Sequence, residues 1–195
     1  TGANLYLGGR AGTGKSFVTQ LLFAFLAQHR ISVGRSALTG VAAFGIGGQT
    51  IHSWAGLGLA DEHVEAILAK VRKNKKAKER IESAEVLFID EVSMAKGDLL
   101  NKLDLVLKYV RRSNAPWGGI QVVVCGDFLQ LPPIFKGDER QELAFNCRAW
   151  REAKFEAVVL ETVVRQQESC VLLKVLNDLR VGNTDSLALL SARVG

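Results

Sequence analysis

Cysteine is scarce in this chain, and the three present form no pattern. Cys125, Cys147 and Cys170 are odd in number, widely spaced and without a C-x-x-C pair. That argues against a disulfide framework or a thiolate zinc site, and it fits a reducing intracellular setting. The histidines, His29, His52 and His63, have no metal-ligand spacing. Long apolar runs are missing too. The best helix candidate, residues 17–27, is too short and too polar-flanked to span a membrane. An initiator methionine is absent, and Thr1-Gly2-Ala3-Asn4 runs at once into an apolar stretch. This reads as an excerpt of a longer protein, with any localisation signal lying elsewhere. No internal repeat or low-complexity tract is visible.

What is there is the composition of a globular protein: 195 residues, 48% hydrophobic and 23% charged. A chain of this length buries well over half of its unfolded surface, so one real core is expected. The net charge of +5 is concentrated. Lys70, Arg72, Lys73, Lys75, Lys76, Lys78 and Arg80 stand against Glu79 alone, a local +6 that leaves the remainder at −1. Two readings stay open for that run, a solvated helix face or connector and a phosphate-contacting patch.

Strand and helix signals alternate along the chain. Residues 4–9 read as a strand, 15–30 as a helix and 33–38 as a second strand, followed by a Gly-rich loop over 40–58. The periodicity of Val64, Ile67, Leu68 and Val71 predicts a polar helix over 61–80. A buried strand follows at 86–89, an amphipathic helix at 97–112, strands at 120–125 and 158–160, and a last helix at 170–180. Residues 114–119 and 132–142 read as surface excursions. Apolar strands separated by helices predict an α/β fold, a mostly parallel sheet with helices on both faces. Such sheets bind ligands beyond the carboxyl ends of their strands.

The sharpest signal lies between the first strand and the first helix. Gly9-Arg10-Ala11-Gly12-Thr13-Gly14-Lys15-Ser16 fits G-x-x-x-x-G-K-[ST] in full and in the right context. Glycines let the backbone wrap, so that N–H groups of Gly9, Ala11, Gly12, Thr13 and Gly14 point at phosphate oxygens. The helix N-terminus adds positive potential. Lys15 reaches the β- and γ-phosphates of ATP, and Ser16 offers a hydroxyl to Mg²⁺. The strand Val86-Leu87-Phe88-Ile89 delivers Asp90 and Glu91 at its tip. Asp90 suits Mg²⁺, and Glu91 suits a general base that orients and deprotonates water.

With these blocks go Leu38-Thr39-Gly40-Val41-Ala42-Ala43, Ile46-Gly47-Gly48-Gln49-Thr50-Ile51-His52-Ser53-Trp54-Ala55-Gly56, and Cys125-Gly126-Asp127-Phe128-Leu129-Gln130-Leu131-Pro132-Pro133. Val164-Arg165-Gln166 and Leu176-Asn177-Asp178-Leu179-Arg180-Val181-Gly182 follow. The set resembles the petite-integration-frequency type of 5′-to-3′ DNA helicases, superfamily one, subgroup B, related to RecD. Val164 departs from the family's aromatic before Arg-Gln, and Asn146-Cys147 from a serine-containing pattern.

The resemblance implies a RecA-like P-loop NTPase lobe over residues 1–195, the first of two, with the second lobe outside this stretch. It implies Gln130 as a γ-phosphate sensor and Arg165 as a cationic contact to the γ-phosphate. It implies single-stranded and forked DNA as partners, and a role in repair, recombination and telomere maintenance. A nuclear or mitochondrial address would follow in a eukaryote. The stretch 39–58 is the expected DNA track, through Thr39, Gly40, Thr50, His52 and Ser53, with Trp54 as a possible base-stacking platform. Burial of His52 and Trp54 as packing residues is the competing reading. Another RecA-like or AAA-type ATPase, or a nucleotide-gated DNA-binding module, are the alternative functions.

Overall fold

The computed structural model describes residues 2–137, 141–162, 175, 178–179 and 182–185. Its centre is a six-stranded sheet in which every pairing is parallel. The strands are β1 (Leu5–Gly9), β2 (Val33–Ala37), β3 (Gln49–Thr50), β4 (Val86–Asp90), β5 (Gln121–Gly126) and β6 (Glu156–Leu160), ordered β3-β2-β4-β5-β1-β6. The two central strands β4 and β5 are largely apolar on both faces, as a sheet covered by helices requires. On β4, Leu87 and Ile89 face one core, while Val86 and Phe88 face another.

The second of those cores is small. Helix α1 (Lys15–Gln28) lays Phe23 and Leu26 on Leu7, Phe88 and Val123. The opposite face carries α3 (Ile51–Ala55), α4 (Val64–Lys73), α5 (Lys75–Ser83), α6 (Gly97–Arg111) and α7 (Arg148–Ala153). Leu100, Leu103 and Leu107 of α6 are fully buried there, at the i, i+3 and i+7 spacing of one helical face.

Several expectations need correction. Residues 40–58 are not a loop: they contain α2 (Gly40–Gly45), β3 and α3. Thr39 and Thr50 cap the two helices, each hydroxyl accepting a backbone N–H three residues on, from Ala42 and Ser53. The helix expected over 61–80 is broken at Asn74, whose φ of −91° and ψ of 88° are not helical. Its side chain accepts the Ala77 N–H at 3.1 Å, starting α5 afresh. Residues 114–119 are no surface excursion at their centre. Trp117 is fully buried, donating its backbone N–H to Asp104 Oδ1 at 2.8 Å and its indole N–H to the Ala149 carbonyl at 3.1 Å. Strand β6 starts earlier than expected and lies at the sheet edge, with Val158 and Val159 exposed. The helix expected over 170–180 lies largely outside the described residues, as does Arg165.

Candidate functional site

The carboxyl ends of β1, β4 and β5 meet at one cavity of about 680 Å³. Lys15, Ser16, Asp90, Glu91, Cys125 and Thr19 line its polar end. The loop between β1 and α1 wraps because Gly12 and Gly14 take the left-handed region, with φ of 81° and 91°. Gly9 has a different reason: a Cβ there would meet Thr13 Oγ1 at 2.7 Å and the Leu160 carbonyl at 2.8 Å. Thr13 is buried, and its hydroxyl donates to the Arg10 carbonyl at 2.8 Å, tying the loop to itself. Lys15 follows the N-cap Gly14, and its ammonium donates to the Gly9 carbonyl at 2.6 Å and the Arg10 carbonyl at 3.0 Å. Two of its three N–H groups are so committed, which aims the charge across the loop.

Asp90 ends β4, and burial holds its carboxyl above the ordinary range despite bonds from the Glu91 N–H, at 2.9 Å, and from the Cys125 thiol. The nearby charge of Lys15 acts in the opposite direction to burial. Burial, with the Asp90 charge, also pushes Cys125 up to about 12, so its sulfur stays protonated and acts as a donor. Glu91 sits in the left-handed region at φ 55°, ψ 38°, an uncommon place for a non-glycine residue. Its Oε2 accepts a hydrogen bond from Thr39 Oγ1 at 2.8 Å.

The structure thus brings together Lys15, Ser16, Asp90 and Glu91, and adds Thr39 to them. Gln130 stands apart: it is exposed, and its amide donates to Asp127 Oδ2 at 2.9 Å. Gly40 is exposed beside Thr39. Thr50 and Ser53 lie at the start of α3, where the Ser53 hydroxyl donates to Gln49 Oε1 at 3.3 Å. His52 is half-buried, and burial lowers its pKa against the opposing pull of Asp61, so the ring is neutral at pH 7. Trp54 is a packing residue. It is 3% exposed, and a Cβ on Gly34 would come within 2.4 Å of its ring, so it offers no face to a base.

Sequence reasoning missed the support of Asp90 by Cys125, whose thiol is in turn bonded to Thr19. The signal was the register of β4 on β5, where Ile89 pairs with Val124 and places Asp90 beside Cys125. The basic run also has partners that periodicity does not reveal. Lys70 pairs with Glu62 at 2.7 Å, and Arg80 donates to the Trp54 and Ser53 carbonyls at 3.0 and 2.8 Å.

Comparison with known proteins agrees with this geometry. The PIF1-like helicase family matches residues 1–183. The chain is 42% identical over 193 residues to the ATP-dependent DNA helicase PIF1 of Candida albicans, covering 94% of this chain and 21% of that protein. It is 40% identical over 200 residues to the ATP-dependent DNA helicase Pif1 of a Psychrobacter species, covering 98% and 30%. Among solved structures, the Pif1 helicase from Candida albicans superposes with a TM-score of 0.84 at 42% identity, over 91% of this chain and 40% of that one. The Bacteroides Pif1 helicase in complex with ADP-AlF3 and single-stranded DNA gives 0.82 at 31% identity, over 97% and 45%. The chain spans only 21% and 30% of the length of the two curated relatives. Its sheet is the RecA-like sheet of those structures. With a phosphate-binding loop, a carboxylate pair at the neighbouring strand tip and a family match over residues 1–183, this chain belongs to the PIF1-like helicase family.

Proposed function

We propose that this chain is the first RecA-like motor lobe of an ATP- and Mg²⁺-dependent DNA helicase that moves 5′ to 3′ on single-stranded DNA. The observation that carries the proposal is the convergence of Lys15, Ser16, Asp90 and Glu91 on one cavity at the strand ends. Backbone N–H groups of the loop from Gly9 to Gly14 hold the phosphates, and Lys15 adds a point charge to the β- and γ-oxygens. A hydroxyl and a half-buried carboxylate with acceptor capacity to spare form a hard oxygen donor set that fits Mg²⁺, so Ser16 and Asp90 are its holders. Bound there, the ion neutralises charge on the phosphate oxygens. Glu91 orients the attacking water and takes its proton.

Arg165 supplies a further cation to the γ-phosphate, and Gln130 senses it once its amide leaves Asp127. The strand runs over Thr39, Gly40, Thr50, His52 and Ser53, and a second lobe elsewhere in the protein completes the cleft. Relatives have been solved with single-stranded DNA and at forked double-stranded DNA, which supports the same partners here. Work on genomic DNA, in repair, recombination or telomere maintenance, places the protein in a nucleus or mitochondrion if the cell has them. Among the described residues no helix is long and apolar enough to cross a membrane.

Phosphate release by the full-length protein, with and without single-stranded DNA, tests this reading, together with strand displacement on a 5′-tailed duplex. Strong stimulation and ATP-dependent unwinding are expected. Equal slow rates with no unwinding would favour a nucleotide-gated binding module. Lys15→Ala is expected to abolish binding of a fluorescent ATP analogue, because the β/γ-phosphates lose the loop's one ammonium. Affinity within twofold of wild type would remove the loop from the site.

A further inference from the structure

Thr39 Oγ1 carries a single hydrogen, and the structure commits it. The hydroxyl donates to Glu91 Oε2 at 2.8 Å, while its oxygen accepts the Ala42 N–H at 3.2 Å. The two residues are 52 positions apart, and the sheet brings them together. Strand β2 pairs with β4 so that Ala37 lies beside Asp90, and the Leu38 N–H donates to the Asp90 carbonyl at 3.2 Å. Both chains leave the sheet there, one into Thr39 and the other into Glu91. Glu91 is held in the left-handed region, so its side chain has few ways to reach the cavity.

We infer that Thr39 is a positioning residue that restrains the general base, and that strand binding releases it. The inference rests on the proposed reading of Thr39 as a DNA contact and of Glu91 as the base. A carboxylate oxygen that accepts a hydrogen bond is less free to turn, and the lone pair that accepts it is not available to water. A DNA phosphate oxygen only accepts hydrogen bonds, so it can engage Thr39 Oγ1 only by taking the hydrogen that Thr39 donates to Glu91. The Thr39–Glu91 bond and a Thr39–phosphate bond are therefore mutually exclusive. Without a strand, the base is pinned to the tip of β2. With a strand, it is free to accept a proton from water. One hydrogen shared between two acceptors links the DNA track to hydrolysis.

Steady-state phosphate release by the full-length protein, without DNA and at saturating oligothymidine, tests the inference through two hydroxyl-free variants. T39V removes the hydroxyl and the cap. T39G removes the hydroxyl while keeping α2 close to its original stability, since glycine is nearly as good a cap as threonine. In both, the DNA-free kcat is expected to rise about threefold or more, the size expected from loss of part of a charge-assisted bond. The ratio of stimulated to basal rate falls toward one, and KM for ATP stays within twofold. T39S, which keeps the hydroxyl, restores the wild-type ratio. A stimulated wild type whose ratio is unchanged in T39G and T39V overturns the inference alone. So does a fall of both rates in proportion, which a purely structural cap would give. A wild type that DNA does not stimulate overturns the helicase reading, and this inference with it.

Discussion

Two carboxylates on opposite sides of the sheet, one fully buried and one half-buried, are treated in opposite ways. Asp104 on α6 is fully buried and fully engaged. It accepts from Lys108 at 2.9 Å, from Arg148 at 3.0 Å and from the Trp117 backbone at 2.8 Å. Burial opposes the charge of Lys108 and Arg148, yet bonds to Asp104 and Glu152 outweigh it and hold both cations above their ordinary ranges. Asp90 at the tip of β4 has a backbone N–H, a thiol and a more distant Lys15, and burial still wins. The first arrangement locks α6, α7 and the turn at Trp117 into one scaffold. The second leaves oxygen lone pairs and negative charge facing a cavity. A carboxylate without full compensation is costly to keep, and it is where a cation gains most.

The largest effect expected from this comparison is on the scaffold side. Asp104→Ala leaves Lys108, Arg148 and the Trp117 N–H without their shared partner, and should lower unfolding stability by about 3–5 kcal/mol. Denaturant unfolding measures it, and a loss below about 1 kcal/mol would mean that Asp104 does not anchor the scaffold. Glu91→Gln comes next. It should reduce hydrolysis by roughly 10²-fold or more with nucleotide affinity preserved, because an amide accepts no proton from water. If affinity falls in step with rate, Glu91 is structural and the base lies elsewhere.

Asp90→Asn sharpens the contrast through its sign. Removing a charge that burial disfavours should raise stability, by up to about 1 kcal/mol, while weakening nucleotide·Mg²⁺ binding. The folded-state pKa is raised, so the cost of the charge appears only as pH climbs above the ordinary value of 3.8. The gain in Asp90→Asn is therefore absent below that value and complete above the raised pKa. Thermal melts of the two proteins across acidic and neutral pH follow it. A destabilised Asp90→Asn at neutral pH would make Asp90 a second Asp104.

The phosphate loop and the Asp90-Glu91 pair were legible in the sequence because each is contiguous and its chemistry demands a fixed spacing. The parallel sheet was legible because its central strands β4 and β5 are apolar runs, set between helical segments. What escaped depends on residues far apart in the chain. Trp54 and Trp117 are buried by Gly34 and by Asp104 and Ala149, none of them local. The support of Asp90 by Cys125 follows from strand order, which periodicity does not carry. The bond from Thr39 to Glu91 requires knowing that β2 lies beside β4. Some of the missing detail is nonetheless local. Asn74 is a good cap in the middle of a basic run, and Thr39 and Thr50 are caps inside a glycine-rich stretch.

The smallest expected effect concerns that basic run, and it decides whether charge on the scaffold side reaches the DNA. Of its seven cations, Lys70 is paired with Glu62 and Arg80 holds carbonyls at the end of α3. Lys73, Lys75 and Lys76 are exposed around the break at Asn74, on helices whose buried residues Ile67, Val71 and Ile81 face the larger core. None of the three lines the cavity that holds Lys15 and Glu91. A solvated face explains this arrangement without a phosphate. Replacing all three by glutamine should therefore leave the dependence of single-stranded DNA affinity on salt unchanged. Had each contacted a phosphate, the logarithmic slope would fall by about 0.7 per residue, or about 2 in total, which titrations between low and moderate salt resolve. A slope reduced by that amount would extend the DNA track onto α4 and α5, and the division between a scaffold face and a working edge would fail there.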